Sequence, residues 1–246
     1  MIAVVIPALD EQDNIAAVVS DLQQQPIDVA IVVDNGSTDA TAQRAAEAGA
    51  VVVSEPKRGY GQACAAGSAE ALRRGATVIV YIDADHSSRP DEVGRLLQPI
   101  DAADADLVLG SRVTGTVHDG AMGSHQRFGN WLTAALMRRL YNIEVTDLGP
   151  YRAIRAELLA ELDMVEMTFG WPTEMMVKTA RRGAKIVEVP VTWQVRHAGH
   201  SKVSGTVKGS VLAAWYLLSV TFKHAYGNQP WATSTEASID SAPDME

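Results

Sequence analysis

Short apolar runs alternate with helical patterns through the first half of the chain. Runs rich in β-branched residues at 2–6, 29–33, 51–54, 78–82 and 107–109 are typical of strands buried on both faces of a parallel sheet. The intervals carry helical periodicity, the first with apolar residues at i, i+3, i+4 and i+7. Strand and helix repeated in this order predict an α/β domain with right-handed crossovers.

Capping residues mark the expected ends of these helices. Asn14 is placed to cap the first helix, and Pro90 suits the first turn of the fourth. Gly49 and Gly75 stand where the second and third helices should end. Residues typical of helix ends therefore separate the predicted strand–helix units.

The second half of the chain is less regular. Residues 110–123 predict a long polar loop rich in glycine. Helices are expected over 125–141 and 172–182, a strand over 185–191, and a last helix ending near residue 226. No linker or repeat divides the sequence, so one domain over 1–226 is expected.

Composition limits the class of protein. The chain has 246 residues, 47% hydrophobic and 21% charged, which is ordinary for a soluble globular protein. Its one cysteine, Cys64, permits no internal disulfide, and no basic region precedes the apolar start, so we expect a cytosolic protein without a signal peptide. A formal net charge of −9 argues against nucleic-acid binding.

Charge is unevenly distributed along the chain. Residues 227–246 contain four carboxylates and no Lys or Arg, which predicts a disordered acidic tail. Residues 181–208 contain six Lys or Arg and one Glu, so an anionic ligand or a solvated basic face is expected there. The apolar run 209–222 would make a helix of about 21 Å, short of the roughly 30 Å of a bilayer core, so it is interpreted as a buried, partner-binding or interfacial helix.

Polar loops follow the predicted strands at the edge where open α/β sheets bind ligands. The first such loop lacks Gly-x-Gly-x-x-Gly, which argues against a nicotinamide or flavin enzyme. Asp83 and Asp85 end the fourth strand on one side of it, and two such hard oxygen donors can hold Mg²⁺ or Mn²⁺. The paired glycines at 59 and 61 indicate either close approach of a ligand, with Arg58 meeting phosphate, or a plain turn.

The order of these loops resembles that of the GT-A fold glycosyltransferases of family 2. Five motifs carry the resemblance: PALDE at 7–11, DNGSTD at 34–39, RGYG at 58–61, DAD at 83–85 and GSR at 110–112. Later segments agree: QRFGN at 126–130, DLGPYR at 147–152, GWPTE at 170–174 and RHAGHSK at 196–202. The resemblance is strongest to the polyprenyl-phosphate and dolichyl-phosphate sugar synthases. It implies a Rossmann-like, mostly parallel sheet flanked by helices, with a C-terminal helix.

The resemblance also implies roles for particular residues. Asp83 and Asp85 would hold Mg²⁺ or Mn²⁺, with His197 as a candidate further ligand, and Arg112 and Arg127 would contact an acceptor phosphate. The donor, a nucleoside-diphosphate sugar with UDP favoured over GDP, would be bound by Pro7, Leu9, Glu11, Asp34, Arg58, Asp83, Arg196, Ser201 and Lys202. Transfer would invert the anomeric centre, with polyprenyl phosphate as the preferred acceptor. A peripheral contact with the inner membrane face and a homo-oligomer are compatible with this role.

The sequence departs from the pattern of this family in three places, and alternative functions stay open. His86 and Ser87 follow Asp85 where the lipid-phosphate branch usually has a glutamine, no Gln-x-x-Arg-Trp occurs, and no second carboxylate adjoins Glu174. A small hydroxyl acceptor would need a base, for which Glu174 is the first candidate and Asp147 the second. A nucleotide-binding subunit without catalysis and a nucleotidyltransferase are the other hypotheses.

Overall fold

The fold is built on a seven-stranded sheet. The computed structural model describes residues 1–198 and Ser219. Its strands are β1 (Ile2–Ala8), β2 (Val29–Asp34), β3 (Val51–Ser54), β4 (Val78–Tyr81), β5 (Leu107–Val117), β6 (Arg152–Arg155) and β7 (Ile186–Trp193). Their order is β3-β2-β1-β4-β6-β5-β7, and only the two pairs made by β6 are antiparallel. The expected mostly parallel α/β sheet is confirmed.

Helices cover both faces of the sheet. They are α1 (Ile15–Leu22), α2 (Thr41–Glu47), α3 (Tyr60–Arg73), α4 (Val93–Asp101), α5 (Ser124–Tyr141), α6 (Ala156–Glu161) and α7 (Trp171–Arg181), with a 3₁₀ turn at Pro90–Glu92. Apolar residues of α1, α2 and α4 form the core on one face, and those of α3, α5, α6 and α7 form the core on the other. The result is a three-layer α/β/α domain.

Alternation along the central strands explains this double core. In β1, Ala3 and Val5 pack into one core cluster, whereas Val4 and Ile6 pack into the other. Because successive side chains of a strand point to opposite faces, an unbroken apolar run is what a doubly covered strand requires. The β-branched runs of the sequence were therefore reliable strand signals.

One expectation about the second half was wrong, and two elements were not expected. The predicted loop over 110–123 is strand through Val117, because β5 continues past Ser111 and pairs again with β7 at Thr116 and Val117. The chain also contains β6 and α6, which have no clear pattern in the sequence. Both elements build the antiparallel part of the sheet beside β4.

The predicted helix ends agree with the structure at most positions. Gly49 and Gly75 follow α2 and α3 with positive φ, and Pro90 opens the 3₁₀ turn before α4. Asn14 precedes α1 as expected, but its side chain makes no cap hydrogen bond. Its amide instead donates to the Glu11 carboxylate, so the residue serves the loop after β1.

The last predicted segments lie outside the described residues. These are the helix ending near residue 226, the domain end there and the acidic tail 227–246. In the part of the chain that the structure describes, no helix is long and apolar enough to cross a membrane.

Candidate active site at the carboxyl edge of the sheet

One cavity of about 900 Å³ opens at the carboxyl ends of β1, β2 and β4. The chain leaves β1 towards β2 on one side, while β4 begins the other half of the sheet, and ligands of open α/β folds bind at such a switch point. Eight of the predicted site residues line the cavity: Pro7, Leu9, Glu11, Arg58, Asp83, Asp85, Arg112 and Arg196. Folding thus brings together side chains that are far apart in the sequence.

Carboxylates form one end of the cavity. The Asp85 Oδ1 atom accepts hydrogen bonds from the backbone N–H of Ser87 (3.0 Å) and from its hydroxyl (2.5 Å). Its Oδ2 atom lies 3.1 Å from the Nη2 of Arg196, which also bonds to the Glu11 carboxylate at 2.8 Å. Arg196 therefore joins the loops after β1 and β4 to the segment after β7.

Asp83 lies in an unfavourable environment for a second negative charge. Burial, the charge of Asp85 and that of Glu11 raise the pKa of Asp83, while Arg112 and Arg196 lower it by less. A divalent cation bound between the two aspartates would relieve this strain, and carboxylate oxygens are the ligands that Mg²⁺ and Mn²⁺ prefer. The donor set therefore fits such a cation.

Two aspartates alone would give a bound cation only part of its ligands. No group of three or more His, Cys, Asp or Glu side chains among the described residues is arranged to hold a metal. His197 does not line the cavity; its backbone N–H donates to the Asp85 carbonyl at 3.3 Å, and its exposed ring lies 6.4 Å from that of His86. Remaining coordination positions are thus left for ligand oxygens or water.

Arg196 has unused donors beside these carboxylates. Its Nε and Nη1 atoms are buried and have no hydrogen-bond partner within the described residues. A buried guanidinium N–H is costly to leave unpaired, so a bound anion is the natural partner for these groups. The cavity thus presents the Arg196 guanidinium directly beside Asp85.

Arg112 is fixed on the same cavity by a buried carboxylate. Its Nε and Nη2 atoms donate to the two oxygens of Asp147 at 2.7 and 2.6 Å, and its backbone N–H donates to the same group at 2.7 Å. The guanidinium carbon also lies 4.9 Å from the centre of the Trp193 ring. Since an arginine has five N–H donors and Asp147 takes two, Arg112 can bind a further anion without moving.

Asp147 itself is held by a network from β7. Its backbone N–H donates to Glu188 Oε1 at 2.9 Å, and the backbone N–H and hydroxyl of Thr146 donate to the same carboxylate. Asp147 is buried and does not line the cavity. In this structure Asp147 therefore orients Arg112.

Asn35 organises the loop that carries Arg58. Its side-chain amide donates to the carbonyls of Glu55 (2.9 Å) and Lys57 (2.7 Å), and its oxygen accepts from the N–H of Gly59 at 2.8 Å. Arg58 in turn donates to the Gly36 carbonyl at 2.9 Å. An Asn-Gly pair is by itself a common turn signal, but here Asn35 follows the end of β2 and its side chain ties this loop to the loop after β3.

The glycines of the RGYG motif allow close approach of protein backbone. A Cβ on Gly59 would lie 2.5 Å from the Met167 carbonyl oxygen, and one on Gly61 would lie 2.5 Å from the Glu166 oxygen. Gln62 also donates its backbone N–H to Met167 at 3.2 Å. The close approach inferred from the sequence exists, but its partner is the segment before α7.

Glu174 holds that same segment in place. Its carboxylate accepts from the backbone N–H groups of Val165 and Glu166, the latter at 2.8 Å, and lies 3.0 Å from the Lys178 ammonium. The segment leads to Phe169, whose ring stacks near that of Tyr60 (6.5 Å) on the cavity wall. Glu174 is buried and does not line the cavity.

The remaining predicted residues lie elsewhere. Asp34 ends β2 and accepts from the Ser37 N–H at 3.1 Å, next to the cavity residue Asn35 but outside the lining. Arg127 is exposed on α5, one residue after Gln126, which lines the cavity. Ser201 and Lys202 lie outside the described residues.

Sequence comparison identifies the family to which this chain belongs. Residues 3–163 match the model of the family described as glycosyl transferase family 2. The chain belongs to glycosyl transferase family 2. The strand-end motifs that build the cavity, from the loop after β1 to Asp83 and Asp85 and on to Arg112, fall within the matched residues, so the resemblance seen in the sequence is confirmed.

Relatives of this glycosyltransferase extend over nearly the same length. An uncharacterized glycosyltransferase of Mycobacterium tuberculosis is 36% identical over 225 residues, covering 89% of this chain and 98% of the relative. An undecaprenyl-phosphate mannosyltransferase of Micrococcus luteus is 35% identical over 222 residues, covering 85% and 89% respectively.

A solved structure has the same GT-A-like fold. Glucosyl-3-phosphoglycerate synthase from Mycobacterium tuberculosis, in complex with Mg²⁺ and uridine diphosphate, superposes with a TM-score of 0.67 at 26% identity. The superposition covers 90% of this chain and 79% of that protein.

Proposed function

We propose that this glycosyltransferase moves a hexose from a nucleoside-diphosphate sugar to a polyprenyl phosphate, with Mg²⁺ or Mn²⁺ as cofactor. The observation that carries the proposal is the charge arrangement of one cavity. Two aspartates suited to a divalent cation share it with an arginine that a buried carboxylate pre-orients. A cavity with a cation-binding end and an arginine end suits a reaction between two phosphate-bearing substrates.

The donor would bind at the acidic end. Asp83 and Asp85 would hold the cation, and Arg196 would donate its unused N–H groups to the diphosphate. Pro7, Leu9 and Asp34 would surround the nucleoside, with Arg58 nearby and Ser201 and Lys202 as further phosphate contacts. A uridine nucleotide is favoured because the similar synthase was solved with uridine diphosphate and Mg²⁺.

The acceptor would bind at Arg112. The Micrococcus luteus relative is named for undecaprenyl phosphate, and a phosphate monoester matches the fork of an arginine whose other donors are fixed. Arg127, at the start of α5, would contact the same phosphate. A cytosolic chain with this acceptor would work at a membrane surface.

The chemistry follows from charge. A phosphate oxygen of the acceptor attacks C1 of the sugar while the bond from C1 to the diphosphate breaks, and the bonding electrons leave with the nucleoside diphosphate. Inversion at C1 follows from this single displacement. A bound divalent cation would stabilise the negative charge that develops on the leaving group. The ionised acceptor needs no base, which agrees with the engagement of Asp147 and Glu174 elsewhere.

Transfer to a small hydroxyl acceptor is the second candidate. The similar synthase is named for 3-phosphoglycerate, whose hydroxyl would need a base. Glu174 or Asp147 would have to leave its present partners to serve, and neither His86 nor His197 lines the cavity. The geometry thus favours the phosphate acceptor.

A donor and acceptor panel tests the proposal. The full chain is incubated with Mg²⁺ or Mn²⁺ and UDP- or GDP-linked hexoses, with short-chain polyprenyl phosphate or phosphoglycerate as acceptor. Mass spectrometry is expected to find a hexosyl phosphoprenol and one nucleoside diphosphate per transfer. Product with phosphoglycerate alone, release of pyrophosphate, or nucleotide binding without turnover would each overturn it.

A further inference from the structure

The outward face of α5 carries two exposed aromatic side chains. Phe128 is 63% exposed and Trp131 is 58% exposed, with ring centres 5.9 Å apart. On the inward face, Thr133, Ala134 and Met137 are buried. The helix therefore turns some of its largest apolar groups away from the core, which is costly unless something apolar covers them.

The charge of α5 is opposite to that of the chain. Arg127, Arg138 and Arg139 are exposed on it, and Ser124–Tyr141 contains no Asp or Glu although the whole chain has a net charge of −9. Aromatic rings and arginines on one helix face are typical of helices that lie in the membrane–water interface. The rings enter the headgroup region while the guanidinium groups contact anionic lipids.

The position of α5 relative to the cavity fits this role. Met122, Gly123 and Gln126 line the cavity, and the Gly123 N–H donates to the Gln126 side chain at 2.8 Å to begin the helix. A bilayer resting on Phe128 and Trp131 would therefore lie beside the cavity opening. A lipid phosphate could then reach the cavity while its chain stays in the membrane.

We propose that α5 docks this protein on an anionic membrane surface through Phe128, Trp131 and its three arginines. The proposal rests on the proposed function, since it supplies the surface at which a polyprenyl phosphate is met. Charge complementarity selects an anionic bilayer as the occupant of this face.

Vesicle flotation tests the docking surface. The full chain and the Phe128→Ala/Trp131→Ala variant are floated with vesicles of phosphatidylglycerol mixed with phosphatidylcholine, and with phosphatidylcholine alone. We expect the parent to bind the anionic vesicles, less so at high salt, and the variant to partition about tenfold more weakly. Leu72→Ala, which removes a 38% exposed leucine on α3, is the matched control and should float like the parent.

Two further measurements keep the outcomes distinct. Transfer to a short-chain, water-soluble polyprenyl phosphate should be the same in the parent and the double variant, because no bilayer is involved. Absence of that transfer in the parent would refute the proposed function and leave the flotation result interpretable. Equal flotation of parent and variant would refute the docking surface, and a lower unfolding temperature with equal flotation would show that another segment of this chain covers the rings.

Discussion

The guanidinium group of Arg112 is held in one orientation by its neighbours. Asp147 takes two of its guanidinium donors, Trp193 covers its face, and Glu188 holds Asp147 from β7. Such pre-orientation lowers the entropy lost when an anion binds, because the side chain is already in its bound rotamer. A substitution of Arg112 that keeps the positive charge but lacks the planar guanidinium group should therefore impair the site.

Arg112→Lys is expected to weaken use of the phosphate acceptor. Lysine keeps the charge but cannot bond both oxygens of Asp147 and present further donors at the same time. A loss of about 1.5–3 kcal/mol, or roughly ten- to a hundredfold in kcat/KM for the acceptor, is expected, with the KM for the donor little changed. Arg73→Lys, at an exposed pair on α3, is the matched control. Equal kinetics in the two variants would contradict the assignment of Arg112.

At the scale of elements, α7 and the segment before it form one unit with the RGYG loop. Glu174 links Lys178, one turn further along α7, to the backbone of Val165 and Glu166. The segment in turn fills the space left by Gly59 and Gly61. The aromatic wall of the cavity depends on this packing, although neither Glu174 nor Gly61 lines the cavity.

Glu174→Gln is expected to destabilise the fold. It leaves the buried Lys178 ammonium without its carboxylate, which costs about 3 kcal/mol in the free energy of unfolding. The double variant Glu174→Gln/Lys178→Met should recover part of that loss in urea unfolding, because no unpaired charge remains. If Glu174→Gln instead unfolds like the parent and loses kcat only with a hydroxyl acceptor, Glu174 is a base after all.

Gly61→Ala is expected to disturb the same unit from the other side. The added methyl would meet backbone atoms of Glu166 and Met167, at 2.5 Å from the Glu166 oxygen, and backbone cannot rotate away as a side chain can. Unfolding should become easier by about 1–3 kcal/mol. Gly94→Ala in α4 is the control, since nothing lies within 4 Å of its added methyl, and it should stabilise by up to about 1 kcal/mol. Similar shifts of one sign in both variants would argue against the packing described.

Elements with a clear period were predictable from the sequence, and those shaped by tertiary pairing were not. Strand β6 is four residues long with arginine at both ends, and burial of Arg152 depends on carbonyls of Gly149 and Pro172 that no local pattern reveals. The end of β5 reads as a polar loop because Thr114, Gly115 and Thr116 carry no apolar alternation. Pairing with β7 overrides that local preference.

The site was predictable where residues stand at strand ends. Asp83 and Asp85 were singled out because the carboxyl edge of a parallel sheet gathers the loops that follow its strands, whereas Glu11 was named through the family resemblance; all three line the cavity. The contacts of Asp147 and Glu174 were not predictable, since a carboxylate that orients an arginine and one that accepts a substrate proton look alike in sequence. Only the folded chain shows that Asp147 pairs with Arg112 and Glu174 with Lys178.

At the scale of the whole molecule, the site is a junction of distant segments. The loops after β1 and β4 and the segment after β7 meet where Arg196 bonds to Glu11 and Asp85. A ligand that bridges these segments binds only the folded chain, so its binding energy adds to global stability. Repulsion between the carboxylates of Asp83 and Asp85 opposes folding, and a bound cation would remove that cost.

Uridine diphosphate and Mn²⁺ together are therefore expected to raise the unfolding temperature. At a hundredfold excess over Kd the gain is about 2.7 kcal/mol, which for a chain of this size corresponds to roughly 5–10 °C. Either component alone should give less, because the cation and the diphosphate complete each other's binding site. Asp85→Asn should lose most of the joint shift, whereas Asp91→Asn, at an exposed ion pair with Arg89, should keep it in the same thermal melts. An equal joint shift in both variants would contradict the assignment of Asp85 as a cation ligand. The donor would then have to bind at another part of the cavity.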